Sequence, residues 1–265
     1  MKRIGIDAGG SLIKLAYEEK GLLHVKTYSY NQQEQLAKWL QMLAPDAHIY
    51  GTGGRWNQLK ASMKQPNHTV EEFTAIVQGT NYLLEEFPEK IDEYILVSIG
   101  TGTSIFHVKG QSFERVLGSG VGGGTLMGLG SLIAKGKSFR ELVELSAKGN
   151  HQNSDLLVKD IYGEQHAPLT GELTAANFGK VHLQEEHSEA DLLRSLTQLI
   201  GEVILSLAGN VAAIKGIGKI VFVGSTVEGN KPLQEVFLSF QEMLSYQPIF
   251  PDKAAYAGAI GALLE

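Results

Sequence analysis

Short apolar runs alternating with glycine-rich turns dominate the first hundred residues. Residues 4–14 carry two such runs around Ala8-Gly9-Gly10-Ser11, which predicts a tight hairpin. Residues 22–30 follow a Lys20-Gly21 turn and predict a third antiparallel strand. The period then changes. Leu36, Trp39, Leu40 and Leu43 recur at three- and four-residue steps, so 32–43 reads as a helix, stopped by Pro45. A short strand over 48–50 runs into Gly51-Thr52-Gly53-Gly54. Strand, helix, strand and glycine turn in that order predict a parallel crossover. A helix over 72–87 is closed by Pro88, with Glu71 and Glu72 at its start, where the helix dipole favours carboxylates.

Farther on, 94–99 and 105–108 predict strands around Gly100-Thr101-Gly102-Thr103-Ser104. Gly9-Gly10-Ser11-Leu12-Ile13 aligns with Gly102-Thr103-Ser104-Ile105-Phe106, which points to a duplicated hairpin leading each of two lobes, 1–92 and 93–265. Coincidence between two common turns is the competing explanation. Seven of the thirteen residues at 118–130 are glycine. So many would weaken a strand or helix, so a loop is expected there, lying against a ligand and opening a helix near Thr125 whose N–H groups face that ligand. A flexible linker is the alternative reading.

Ser138 and Glu141 form a capping-box pattern for a helix over 138–148. Residues 150–166 are less regular, with an apolar run at 156–161. Residues 173–179 read as a helix start carrying a hydroxyl, and 188–214 as a long core helix. A strand over 219–223 ends in Gly224-Ser225-Thr226. A helix at 232–244, a strand at 247–250 and a helix at 254–264 complete the pattern, the last with small residues that permit close packing. Glycine turns thus recur at strand ends, where α/β sheets bind ligands.

Composition narrows the chemistry. The chain has 265 residues, 43% of them hydrophobic, enough for a substantial core. Net charge is −6 with no basic stripe, so no nucleic-acid partner is expected. There is no cysteine, which excludes disulfides, thiolate catalysis and cysteine–zinc sites. The eight histidines show no metal-ligand spacing. The apolar segment 192–214 carries Arg194, Glu202 and Asn210 and reads as a buried helix, not a membrane span. The chain opens in a strand pattern without an apolar leader run, so a cytoplasmic protein is expected.

Asp7 ends the first apolar run and can face a hydrated cation; Ser11 and Lys14 add a hydroxyl and a positive charge. Carboxylate, glycine turn and lysine suit a metal-bound polyphosphate, though the same residues also fit an ordinary Gly-Gly hairpin. No Gly-x-x-x-x-Gly-Lys-Ser/Thr and no protein-kinase motif set is present.

Five segments carry a family likeness. Residues 7–14, 100–104, Arg115-Val116-Leu117-Gly118 running into Gly122-Gly123-Gly124, Leu173-Thr174-Ala175-Ala176-Asn177-Phe178-Gly179, and 258–263 resemble type II pantothenate kinases, in family order from end to end. The likeness is to the short enzymes of Gram-positive bacteria. It implies an α/β, actin-like or sugar-kinase-like (ribonuclease H-like) duplicated two-lobe fold. It also implies a homodimer and ATP- and Mg²⁺-dependent phosphorylation of pantothenate to 4′-phosphopantothenate, the first step of coenzyme A synthesis.

By the same resemblance Asp7, Ala8, Gly9, Gly10, Ser11, Leu12, Ile13 and Lys14 would hold the ATP phosphates, with Asp7 helping to hold Mg²⁺. Thr101 and Gly102 would line the second phosphate loop. Gly123 and Gly124 would lie beside the ribose and phosphates, with Thr125, Leu126 and Met127 also on the nucleotide. Phe139 would pack on adenine and Ser225 would border the nucleotide. Glu72, before Phe73, matches the catalytic base, with Glu71 next to it as a second carboxylate to choose from. Arg115 would meet the transferring phosphoryl group or polar groups of the substrate. Thr174, Ala175 and Phe240 of the other subunit would line the pantothenate pocket. A sugar or amino-sugar kinase on the same lobes, and a non-catalytic nucleotide sensor, are the competing readings.

Overall fold

The computed structural model describes residues 3–163, 170–183 and 185–265. The end of the irregular 150–166 stretch lies outside them. Two five-stranded sheets share one topology. The first is formed by β1 (Arg3–Ala8), β2 (Leu12–Glu19), β3 (Leu22–Ser29), β4 (His48–Thr52) and β5 (Asn67–Thr69), in the order β3-β2-β1-β4-β5. Between its strands lie α1 (Gln33–Leu43) and α2 (Trp56–Lys60), and α3 (Glu72–Leu84) follows.

The second sheet begins with β6 (Glu93–Ile99), β7 (Thr103–Lys109) and β8 (Ser112–Ser119). Then come α4 (Gly123–Ile133), α5 (Phe139–Ser146), β9 (Leu156–Leu157), α6 (Val158–Tyr162), β10 (Thr174–Ala176) and α7 (Glu189–Lys215). It finishes with β11 (Lys219–Val223), α8 (Lys231–Ser239), β12 (Gln247–Ile249) and α9 (Ala257–Leu264). Its order is β8-β7-β6-β11-β12. In each sheet three antiparallel strands are continued by two parallel ones. The duplication expected from the hairpins is therefore present. Its register differs from the motif alignment: Ala8 and Ile99 end the first strands and Leu12 and Thr103 open the second, so Gly9 corresponds in place to Gly100, not Gly102.

Three apolar clusters build the core. Ile4, Ile6 and Ala8 face Leu36, Leu40, Trp56 and Leu59 on one side of the first sheet. Tyr94, Leu96, Phe106 and Val221 share a central cluster with Val77, Leu83, Ala257 and Ile260 of α3 and α9. Ile95, Val97 and Ile99 point the other way, to Ile200, Ile204, Ala208 and Phe237. Helices cover both faces of β6, which explains its unbroken apolar run. Helix α7 is long and apolar enough to span a membrane by length and composition, and half of its apolar window is buried in the protein. Along α7, Leu193, Leu196, Ile200 and Ile204 are buried in the outer cluster, as expected of a core helix.

The small residues of α9 allow the expected close approach. A Cβ at Gly5 would sit 1.9 Å from the Ala259 carbonyl oxygen, and one at Gly261 would sit 1.8 Å from that of Ala75. Helix α9 is thereby pressed onto β1 and α3.

Several expectations are corrected. Residues 112–119 form edge strand β8, and α4 begins at Gly123, so the glycine run is mostly strand and helix with a short link between them. Residues 173–179 hold β10 and a turn, not a helix start. The apolar run at 156–161 divides into β9 and α6. Helix α3 stops at Leu84 and α8 at Ser239, both earlier than expected. Helix α2 and strand β5 are too short to leave a periodic signal.

Candidate active site

A cleft of about 860 Å³ opens where the strand-end turns of the two sheets meet. That volume falls within the range for small-molecule sites. Asp7, Gly9, Gly10, Ser11, Leu12 and Lys14 line one wall, Thr101, Gly102, Gly123, Gly124, Met127, Phe139 and Ser225 line another, and Glu72 and Arg115 complete it. Ala8, Ile13 and Leu126 point their side chains into the core instead. The Thr125 hydroxyl donates to the Gly120 carbonyl at 3.0 Å and accepts from the Gly122 N–H at 3.2 Å, so it shapes the turn.

Asp7 and Lys14 face each other across the first hairpin and pair at 2.9 Å, both mostly buried. The Tyr30 hydroxyl donates to the Gly9 carbonyl, and the Arg55 guanidinium lies 4.6 Å from the Tyr30 ring. Neither residue belongs to a motif, so no local signal in the sequence marks either one. Gly53 has φ +93°, and a Cβ there would sit 2.7 Å from an Asp7 carboxylate oxygen. Only glycine lets the β4 turn pass this close to Asp7.

The two adjacent glutamates separate. Glu71 is the N-cap of α3 and accepts the Thr74 N–H at 2.6 Å. Burial pushes its pKa up, but the Thr74 and Phe73 N–H groups and the Thr74 hydroxyl outweigh this and hold it below the usual value. Glu72 reaches into the cleft, where the surrounding protein pushes its pKa up. Asp7 and Glu71 add to that rise and Lys14 opposes it.

Arg115 reaches the cleft because β8 is bulged. Ile105 pairs with Leu117 but Phe106 with Arg115, so Val116 is the extra residue. The bulge turns Arg115 to the face of Phe106, toward the central cluster. Its guanidinium lies 5.4 Å from the Phe73 ring and its Nε donates to the Ser104 hydroxyl at 3.4 Å. Phe73 packs edge-on against Phe106, with centroids 5.3 Å apart.

The start of α4 corrects the expected anion geometry. The Gly123 N–H donates to the Gly100 carbonyl at 2.9 Å and the Gly124 N–H to that of Thr101 at 2.8 Å. These donors join α4 to the second hairpin turn, so they are not free for a ligand. The buried Thr226 hydroxyl also donates to Gly100, at 2.8 Å. Of that third turn, the family resemblance points to Ser225 and not to Thr226.

Thr174, Ala175 and Phe240 lie together in a second recess of about 700 Å³, with Glu202, Asn210 and Leu244. None of them lines the first cleft. Among the described residues no group of three or more His, Asp or Glu side chains could hold a metal ion. Among the described residues Asp7 and Glu72 are the carboxylates lining the cleft, which matches the few protein ligands Mg²⁺ takes when phosphates supply the rest.

Residues 44–265 match the Fumble family model. The chain is 47% identical to a type II pantothenate kinase of Oceanobacillus iheyensis over 265 residues, covering 100% of this chain and 99% of the relative. It is 39% identical to a type II pantothenate kinase of Bacillus cereus, covering 98% and 96%. The chain belongs to the type II pantothenate kinase family.

Among solved structures, component A of the (R)-2-hydroxyglutaryl-CoA dehydratase of Acidaminococcus fermentans superposes with a TM-score of 0.67 at 16% identity, over 99% of this chain and 96% of that one. A ROK family glucokinase of Streptomyces griseus gives 0.57 at 13%, over 98% and 97%. At such identities the likeness concerns the fold, the actin-like and sugar-kinase architecture of two lobes. The pantothenate kinase family thus shares its fold with proteins of other activities.

Proposed function

We propose that this chain phosphorylates pantothenate with ATP to give 4′-phosphopantothenate, the opening step of coenzyme A synthesis. The observation that carries the reading is full-length similarity to type II pantothenate kinases at 47% identity. It is supported by a cleft lined by Glu72, Arg115, Asp7 and Lys14. The acceptor hydroxyl oxygen attacks the γ-phosphorus, a new P–O bond forms, and the bond to the β–γ bridging oxygen breaks as ADP leaves. The hydroxyl proton passes to the Glu72 carboxylate, the general base. Arg115 and Lys14 offset charge on the transferring group. The glycine turns at Gly9, Gly10, Thr101 and Gly102 hold the phosphates, and Met127 and Phe139 bound the nucleoside end. Asp7 would hold Mg²⁺, which supplies charge neutralisation on the β- and γ-phosphates.

The chain acts in the cytoplasm as a homodimer, each copy consisting of lobes 1–92 and 93–265. Thr174, Ala175 and Phe240 of one copy complete the pantothenate pocket of the other. Exposed Ile161, Met243 and Leu244 at the rim of the second recess support an apolar contact there. Mixing Glu72→Gln with Thr174→Trp protein tests this, because only a shared pocket restores activity to a mixture of two inactive variants.

The activity is tested with purified protein, Mg·ATP and either pantothenate or a panel of hexoses, with products read by mass spectrometry. Pantothenate-dependent phosphopantothenate is the expected product. Hexose phosphates alone would replace this reading with the sugar-kinase one.

A further inference from the structure

Beside the second recess lies a buried carboxylate that the reaction above does not use. Asp155 is fully buried. Burying a carboxylate is costly unless its charge is paired and its oxygens are hydrogen-bonded. Both Asp155 oxygens are engaged. One lies 3.0 Å from the His151 Nδ1, and the other accepts the Phe178 N–H at 2.7 Å. The Ser195 hydroxyl of α7 donates to the His151 carbonyl at 3.3 Å, which fixes that pair to the core helix.

Phe178 has φ +58°, a left-handed conformation that a bulky side chain adopts only when its surroundings impose it. The bond to Asp155 supplies that constraint. The segment it holds is the one that lines the recess. Strand β10 is bulged between Thr174 and Ala176, which re-aims Ala175. Asn177 donates to Glu202 of α7 at 3.0 Å and closes the loop from the other side. The Thr174 hydroxyl is left buried beside the recess with no hydrogen-bond partner among the described residues. A buried polar group without a partner is costly and marks where a ligand can complete the bonding.

We propose that Asp155 is a positioning residue for the acceptor substrate: through the Phe178 N–H it holds the bulged Thr174–Ala175 segment so that the Thr174 hydroxyl is presented to pantothenate. This rests on the reading of the second recess as the pantothenate pocket. Asp155 touches no reactant and acts only through the loop. It lies outside the cleft of Asp7, Lys14 and Glu72, so its loss falls on one substrate.

The test is steady-state kinetics of the full-length protein, with KM measured separately for pantothenate and ATP. Asp155→Ala should raise the pantothenate KM about tenfold to a hundredfold, as small misplacements of positioning groups do, and leave the ATP KM within about twofold. Asp155→Asn keeps an acceptor for the Phe178 N–H and should recover most of the loss. If Asp155→Ala fails to fold, Asp155→Glu is compared with Asp155→Asn. The longer side chain displaces the acceptor and should raise the pantothenate KM selectively. A rise in both KM values together, or no rise in either, overturns the proposal. Thr174→Val separates the two layers. A normal pantothenate KM in Thr174→Val removes the pocket reading and this inference with it. A raised KM there with a normal one in Asp155→Ala removes only the role of Asp155.

Discussion

The Ser11 and Thr101 hydroxyls lie 3.2 Å apart. One sits at the tip of the first hairpin and the other at the tip of its duplicate, so the two lobes touch at the residues that would meet the phosphates. The contact leaves no spare room, since a Cβ at Gly10 would fall 2.7 Å from the Thr101 hydroxyl oxygen. Gly10→Ala should force that hydroxyl away and raise the ATP KM about tenfold, worth about 1.4 kcal/mol. Isothermal titration with a non-hydrolysable ATP analogue provides the check, and unchanged affinity would speak against this contact bordering the phosphates.

Glu71 and Glu72 should respond differently to substitution. Glu72→Gln removes the proposed base and should lower kcat on the order of 10²–10⁴-fold with ATP binding retained. Glu71→Ala removes an N-cap acceptor and should cost about 1 kcal/mol of stability with a smaller effect on rate. Thermal melts beside rate measurements separate the two, and a reversed pattern would exchange their roles.

The pH dependence follows from the raised pKa of Glu72. A base must be ionised, so kcat/KM should fall as pH drops through a value above the ordinary glutamate pKa of 4.5. Glu71→Gln removes one neighbouring negative charge and should move that limb to lower pH. The stability sign is opposite to that of a paired carboxylate. A pKa raised in the folded state contributes stability that is fully present below the unfolded value and is lost as pH rises through the folded one. Glu72→Gln should therefore melt at or above the parent temperature at neutral pH, and a lower melting point there would contradict the raised pKa.

Arg115 depends on the bulge at Val116 for its direction. Arg115→Ala should lower kcat on the order of 10²–10³-fold, as loss of one charge-stabilising donor does. Arg115→Lys should recover only part of it, because lysine lacks the planar fork that lies against Phe73. Full recovery by lysine would reduce the role to charge alone.

Two glycines of α4 should behave oppositely. A Cβ at Gly123 would meet the Thr226 hydroxyl at 2.3 Å and the Gly100 carbonyl at 2.9 Å, whereas one at Gly128 meets nothing. Gly123→Ala should destabilise by about 1–3 kcal/mol. Gly128→Ala should stabilise by up to about 1 kcal/mol through helix propensity. Chemical denaturation of both variants decides it.

Features with local causes were legible in the residues. The Ser138–Glu141 capping box forms as expected, with the Ser138 N–H donating to Glu141 at 2.8 Å. The first hairpin, the long core helix and the small-residue face of the last helix are likewise dictated by neighbours in the chain. At 118–130 the helix expected to open near Thr125 begins at Gly123, but the loop expected before it is only a short link, for a physical reason. Glycine is costly in regular structure unless close packing requires it, and that packing comes from Thr101, Thr226 and Leu142, which are distant in sequence.

Local patterning by itself determined two hairpin-led lobes, their glycine turns and a set of carboxylate, lysine and hydroxyl groups suited to phosphate chemistry. Tertiary structure decided which glutamate enters the cleft, how a bulge aims Arg115, and that the first donors of α4 are taken by the neighbouring turn. It also decided that Thr174, Ala175 and Phe240 share a recess. Propensity, capping and periodicity act over a few residues, whereas burial, cross-strand register and charge proximity exist only once distant segments are brought together.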